Sequence, residues 1–357
     1  MRRRELLTGL LASTTLGAVR AQQSSSKIWR VACLYPATLG DPERAVWGAF
    51  VSEMRSRGYI EGKNLVLDLR DAKGLMDRIP PIMDDLIALR PDVIIPIGNQ
   101  ATEAAQHATS TIPIVMWSTV DPVRWGYVSS LARPGGNTTG AGTVFVATYG
   151  KAIELLHLLV PAAHRVAVLY AASGQETIDQ VYLDLVKKAV EAIGLTFVPI
   201  SAPTPADLDR AFAEIEAKEC EGLFVPMTQA HIGPAIPSCA AKSKLPTVYQ
   251  LRNFVEDGGL TSYGEDHKEI ARRAAYLVDR IFNGTRPADL PVEEPVTFEL
   301  AVNLKAAAAI GLTIPEAIIA RADKVIMRRR TFIAGSLALL ATTLPPSLLL
   351  RADEVIE

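Results

Sequence analysis

The sequence predicts an α/β protein of two similar lobes, each a parallel sheet covered by helices, and three observations carry this. From Ile28 onward, short β-branched runs alternate with amphipathic stretches of helical period, the pattern of successive strand–helix units. The same order then starts again. Arg30-Val-Ala-Cys-Leu-Tyr35 is echoed by Arg165-Val-Ala-Val-Leu-Tyr170, Asp92-Val-Ile-Ile-Pro by Gly222-Leu-Phe-Val-Pro, and Ile112-Pro-Ile-Val by Leu245-Pro-Thr-Val. The offsets are 135, 130 and 133 residues in the same chain order, a repeat on the scale of a whole lobe. Finally, 357 residues, of which 49% are hydrophobic, are enough for two ordinary domains with good cores.

In the first lobe, strands are predicted at Val31–Tyr35, Leu65–Leu69, Asp92–Ile97 and Ile114–Trp117. Helices are predicted at Glu43–Arg57, Met76–Leu89 and Ala101–Ala108 between them. Arg133-Pro-Gly-Gly-Asn-Thr-Thr-Gly140 reads as a turn-rich approach to a crossing near Gly142. The second lobe opens with a helix over Lys151–Leu159 and runs to a strand at Leu260–Tyr263. A helix at Lys268–Phe282 and a strand at Phe298–Val302 are expected to cross back between lobes. Residues 28–142 with about 264–295 would form one lobe, and 143–263 with about 296–326 the other. Several crossings make a hinge rather than a tether.

Composition excludes several classes of function. Net charge is −2 with 21% charged residues, so neither disorder nor a basic nucleic-acid surface is indicated. Cys33, Cys220 and Cys239 form no CxxC and have no histidine at ligand spacing. They read as three thiols serving as small apolar side chains, with a Cys220–Cys239 disulfide as the alternative. No Walker-type glycine loop, HExxH or Gly-x-Ser-x-Gly is present, and none of His107, His157, His164, His231 and His267 stands beside a nucleophile in sequence. His231 follows a strand, where it could line the cleft, but no nearby nucleophile or carboxylate gives it a catalytic role. No catalytic residue, cofactor or metal is expected.

In an open parallel sheet, ligands bind beyond the carboxyl ends of the strands, so with two facing lobes the site is placed in the cleft. The segments just after each strand are rich in hydroxyls, amides and tyrosines, which suit a small polar solute with an apolar part. Gly98-Asn-Gln-Ala-Thr102 enters a helix: either its free N–H groups receive an anionic group, or Asn99 only caps the helix. Asp121 either pairs with an ammonium group or closes an Asp-Pro turn on its own backbone.

Val120-Asp-Pro-Val123, Leu131-Ala-Arg-Pro-Gly-Gly-Asn-Thr-Thr-Gly140, Leu260-Thr-Ser-Tyr-Gly264, Arg286-Pro-Ala-Asp-Leu-Pro-Val292 and Phe298-Glu-Leu-Ala-Val-Asn-Leu-Lys305 resemble the substrate-binding proteins of ABC transporters. More narrowly, they are similar to the branch that includes tryptophan- and phenylalanine-binding members. The likeness spans about Ile28 to Ile326. It implies the type I periplasmic-binding-protein fold: two Rossmann-like lobes joined by a three-segment hinge and closing on one small solute. By position, the ligand-contacting loops of the family correspond to Tyr35, Asn99, Gln100, Thr119, Asp121, Tyr170, Thr228 and Tyr263. Many members carry a small residue or Thr where this chain has Asn99 or Gln100, which leaves the ligand class open. The partners implied are a small-molecule solute and an ABC permease of the inner membrane, with the protein acting as a monomer and no nucleic acid involved. A ligand-sensing domain acting on a signalling partner is the alternative, and a bilobed enzyme a more distant one.

The two ends read as additions to this fold. Arg2-Arg3-Arg4, the apolar run from Leu6 to Val19 and the small residues before Gln22 have the form of a cleaved export signal over residues 1–21, with a twin-arginine route as a variant. A periplasmic location is expected from it. After Ile326 the chain restarts with Met327-Arg-Arg-Arg-Thr-Phe-Ile-Ala-Gly-Ser and closes with Thr343 to Ile356, identical to Thr313–Ile326 at half of its positions. Residues 327–357 thus read as a fused remnant of a neighbouring gene copy rather than a membrane anchor, which Pro345 and Pro346 would interrupt. A chain ending at Ile326 is expected to fold and bind solute like the full chain. Loss of the cooperative thermal transition in that shortened protein would show that the tail belongs to the fold.

Overall fold

The computed structural model describes residues 27–142, 146–170, 176–233 and 235–327. The segment read as an export signal, residues 1–21, and nearly all of the tail read as a fused remnant lie outside the described residues. The first sheet has the order β2-β1-β3-β4-β5, built from Trp29–Tyr35 (β1), Leu65–Asp71 (β2), Val93–Pro96 (β3), Ile114–Trp117 (β4) and Thr138–Ala141 (β5), all parallel. Alternation along β1 divides its side chains between two cores. Val31 and Cys33 face the helices Asp41–Ser56 (α1) and His267–Phe282 (α9), while Ala32 and Leu34 face Ile79–Ala88 (α2) and Gly98–Ala108 (α3). With both faces covered, the interior strands β3 and β4 are wholly apolar, and charged side chains are confined to β1 and the edge strand β2. Phe50 and Met54 of α1 are fully buried, each removing enough apolar area to contribute about 1.5–3 kcal/mol.

The second sheet has the order β12-β11-β10-β9-β8-β6-β7. Its strands are Arg165–Tyr170 (β6), Thr196–Ser201 (β7), Gly222–Val225 (β8), Thr247–Tyr249 (β9), Thr261–Glu265 (β10), Phe298–Asn303 (β11) and Lys324–Ile326 (β12). All pairings are parallel except β10 with β11. Val146–Leu159 (α4), Glu176–Glu191 (α5), Leu304–Ile310 (α10) and Glu316–Arg321 (α11) cover one face. Leu208–Ala217 (α6), Ala235–Lys242 (α7) and Asn253–Glu256 (α8) cover the other. The two α/β lobes are therefore as the sequence predicts.

Several local features differ from the prediction, each for a physical reason. Thr138–Ala141 lies in the segment read as turn-rich, yet it is a fully buried edge strand beside β4. Its small and β-branched residues fit where Thr139 can donate to the Leu290 carbonyl at 2.8 Å. The helix expected from Met76 begins as a tight turn and becomes α-helical only at Ile79, where Pro80 and Pro81 occupy the first positions that need no N–H partner. The helix expected from Ala101 starts earlier, at Gly98, whose φ of 77° turns the chain directly from β3 into α3. Cys33 is buried, Cys220 and Cys239 are half-buried, and all three are free thiols.

The chain passes between the lobes after Gly142 and before the helix that starts at Val146, at 265–267 and at 293–298, and the described residues of these passages are bonded to one another. Gly142 N–H donates to the Glu293 carbonyl at 2.9 Å, Glu293 N–H to Gly140 at 2.8 Å, and Asp266 N–H to Thr297 at 3.0 Å. Asp266 also caps α9, accepting from the N–H groups of Lys268 (2.9 Å) and Glu269 (3.1 Å). Beside the second passage, Gly264 packs so closely on Gln250 that a Cβ there would fall on the Gln250 carbonyl oxygen. Because backbone cannot yield as a flexible side chain can, Gly264→Ala is expected to cost about 1–3 kcal/mol or more. Its thermal unfolding should show a melting point several degrees lower; an unchanged melting point would show that the two strands separate freely at this point.

Candidate functional site

A cleft of about 790 Å³ lies between the lobes, lined from both. Its first-lobe wall consists of the ends of β1, β3 and β4 and the start of α3: Tyr35, Ile97, Trp117 and Ser118, then Gly98, Asn99 and Gln100. Val168 and Tyr170 from β6, Met227 after β8 and Arg252 after β9 line the opposing wall. The polar segment Glu265–Lys268, where the chain passes from β10 into α9, joins the two walls. The volume lies within the ~300–1,000 Å³ typical of small-ligand sites. Among the described residues, no group of three or more His, Cys, Asp or Glu is placed to hold a metal ion.

The first-lobe wall is aromatic. The ring of Trp47 on α1 stacks on Phe50 with centroids 4.6 Å apart and planes at 16°, and lies 6.3 Å from the ring of Trp117. Both indoles reach the cleft. Just beyond Trp117 the backbone is strained: Ser118 has φ 52° and Asp121 φ 45°, in the left-handed region that side-chain-bearing residues seldom occupy. The Asn99 side chain holds this loop. Its Nδ2 donates to the Val120 carbonyl at 2.9 Å and its Oδ1 accepts from the Val120 N–H at 3.0 Å. Asn99 thus neither caps α3 nor has a free amide, whereas α3, entered from Ile97, has no side-chain cap.

The sequence-derived candidates are dispersed by the structure. Tyr35, Asn99, Gln100 and Tyr170 lie on the cleft wall. Thr119 is 1% exposed and its hydroxyl pairs with that of Thr102 at 3.0 Å, which in turn donates to the Gly98 carbonyl at 2.7 Å. Asp121 is exposed and accepts from the Arg124 N–H at 3.2 Å, closing the Asp-Pro turn. Tyr263 is half-buried and stacks on Phe298 with planes at 10°, outside the cleft lining. Thr228 falls in the turn Met227–Ile232, immediately after the cleft residue Met227.

Residue-level reading missed Trp47, Trp117, Arg252, Glu265, His267 and Glu299, all of which line the cleft. Arg252 Nη1 contacts both carboxylate oxygens of Glu299, at 2.9 and 3.0 Å. Burial pushes the Glu299 carboxyl above the usual range, against the pull of Arg252. The Glu265 carboxylate is 5% exposed and accepts from the Thr148 hydroxyl at 3.2 Å and the Gln250 amide at 3.3 Å. His267 presents a buried Nε2 with no protein partner. The run Glu265-Asp-His-Lys-Glu269 carries no local sign of a cleft, because in sequence it has the form of an exposed, charged helix start.

The sequence profile described as ABC transporter substrate binding protein matches residues 40–326. The chain belongs to this family. A curated relative, a tyrosine-binding protein of Clostridioides difficile, is 26% identical over 71% of this chain and 73% of its own. Among solved structures, a conserved domain protein from Vibrio cholerae is 28% identical with a TM-score of 0.77, covering 84% of this substrate-binding protein and 100% of that chain. A domain from Streptococcus pneumoniae in complex with L-Trp is 24% identical with a TM-score of 0.74, covering 84% and 99%. The family is one of solute-binding proteins rather than enzymes, and the fold is that of its type I periplasmic neighbours.

One pH effect follows from the substrate-binding protein's own cleft. Burial holds the His267 imidazole below its ordinary value of 6.5, with Glu265 and Asp266 pulling the other way. The unfolded chain therefore binds this proton at higher pH than the folded one, so stability is retained above about pH 7 and declines as pH falls below 6.5. Melting temperatures from about pH 7.5 to about pH 5 should fall more steeply for the natural protein than for His267→Gln. Parallel profiles would show that His267 titrates as it does in the unfolded chain.

Proposed function

We propose that this protein is the periplasmic receptor of an ABC importer, taking up a small amino-acid-like solute between its lobes and presenting it to an inner-membrane permease. The observation that carries the reading is the cleft itself: a single-solute volume facing the carboxyl ends of both sheets, with an aromatic wall on one side and a polar junction on the other. An apolar or aromatic solute body fits against Trp47 and Trp117. Its polar end would meet Glu265–Lys268 and the N–H groups at the start of α3. Family membership supports the transport role, and the names of the tyrosine-binding relative and the L-Trp complex support an amino-acid-like ligand.

Tyr35, Asn99, Gln100, Tyr170 and Thr228 remain the sequence-derived candidates for ligand contact in this reading, with Asn99 acting through the loop it holds. A solute touching both lobes stabilises the closed state by its extra affinity for that state, and the permease reads the two lobe faces thus brought together. Among the described residues, no helix is long and apolar enough to cross a membrane. Delivery outside the cytoplasm rests on the export signal in the sequence.

Isothermal titration against amino acids, short carboxylates and nucleosides is expected to give saturable one-to-one binding by at least one solute. Small-angle scattering should show a smaller radius of gyration on saturation. If every small solute in the panel failed to bind, the receptor reading would fall.

A further inference from the structure

We propose that Glu265 recognises a cationic, ammonium-bearing end of the solute, so that the cleft selects protonated amines, amino acids among them, over neutral or purely anionic solutes. This rests on the reading of the cleft as a solute-binding site. Four carboxylates line that cleft: Glu256, Glu265, Asp266 and Glu299. Glu256 pairs with Arg252 at 3.2 Å and Lys324 at 3.6 Å, Glu299 with Arg252 at 2.9 Å, and Asp266 with Arg272 at 3.8 Å. Glu265 is the exception. Among the described residues, no lysine or arginine forms an ion pair with it, although it is 5% exposed.

Its two partners, the Thr148 hydroxyl and the Gln250 amide, are neutral. Their separations of 3.2 and 3.3 Å exceed the ~2.7–2.9 Å of a strong charge-assisted bond. A buried carboxylate so placed is under-compensated, and a cation in the cleft would relieve it. The cation is not supplied by His267, since burial disfavours its protonated form. Instead, the imidazole's unpartnered, buried Nε2, two residues along the same wall, is available as a second acceptor in one of the two neutral tautomers. Trp47 and Trp117 on the facing lobe leave an apolar surface for the rest of the molecule. The complementary ligand is thus an amphipathic amine.

The carboxylate is also well placed to be held rigid. Gln250, which donates to it, accepts from the Met227 N–H at 2.9 Å, and Thr148 stands at the start of α4 beyond the first passage between lobes. A purely structural role would make Glu265 a hinge stiffener, indifferent to ligand charge, so the test reads charge selectivity.

Titration calorimetry near neutral pH would compare L-tyrosine, L-tryptophan and tyramine with 3-(4-hydroxyphenyl)propanoate, which lacks the amine. The natural protein is expected to bind at least one amine and to bind the propanoate far more weakly. Glu265→Gln should weaken amine binding by about 30-fold or more while keeping the near-ultraviolet circular dichroism of the parent. Unchanged amine affinity in Glu265→Gln would overturn the assignment and leave the receptor reading standing. The same would follow if the natural protein preferred the propanoate, or showed no preference between tyramine and the propanoate. That comparison needs no variant and decides the matter even if Glu265→Gln does not fold. Failure of the natural protein to bind any of these probes, with binding of a neutral solute from the wider panel, would overturn the ammonium inference alone; failure of every solute would remove the receptor reading and the inference together.

Discussion

The passages of chain between the lobes are hydrogen-bonded to one another, and the cleft depends on that seam. Glu293 exchanges backbone bonds with Gly140 and Gly142 near the first sheet, and Asp266 is tied to Thr297 where the antiparallel pair β10–β11 leaves the second. Neither lobe is continuous in sequence: α9 packs on the first sheet between two strands of the second. The hydrophobic burial that forms each lobe therefore also fixes where the chain crosses. Any change in the relative orientation of the lobes would have to be taken up at the few positions between the bonded residues of one lobe and those of the other.

From this seam the cleft inherits its asymmetry. Parallel strands end with their carboxyl termini toward it, which brings Tyr35, Trp117 and Tyr170 to its walls without any one segment containing the site. On the aromatic side, Trp47, Phe50 and Trp117 pack on one another. The strained loop after Trp117 persists because both backbone groups of Val120 are held by Asn99, so strain is stored in a wall whose position is over-determined. The polar side comes from the crossing, where Thr148, Glu265 and Gln250 join two passages and the turn at Met227.

Most of the fold was legible from local pattern. The echo of Arg30–Tyr35 in Arg165–Tyr170 marks the interior strands β1 and β6, each beside an edge strand of its sheet, because a parallel strand buried on both faces needs an unbroken apolar run wherever it occurs. Thr138–Ala141 was read as a turn approach because an edge strand of small residues beside glycines lacks that run. The site was less legible. Thr119, Asp121 and Tyr263 have the chemistry of ligand contacts, and in the structure they lie outside the cleft lining, in contact with Thr102, the Arg124 N–H and Phe298. Nothing local distinguishes a hydroxyl that faces solute from one that faces a neighbouring loop.

Sequence by itself determined the number of lobes, their α/β character, the multiple crossings and the family, since periodicity, repeats and turn residues are properties of contiguous chain. Tertiary structure decided which side chains share the cleft. Trp47 comes from a helix and Trp117 from a strand, and they stack only because α1 lies across that sheet. Glu265 looks in sequence like one more charge at a helix start, yet the fold buries it, and among the described residues no lysine or arginine forms an ion pair with it. Burial and pairing of a charge depend on what distant segments bring to it, and that information is not carried within any one segment.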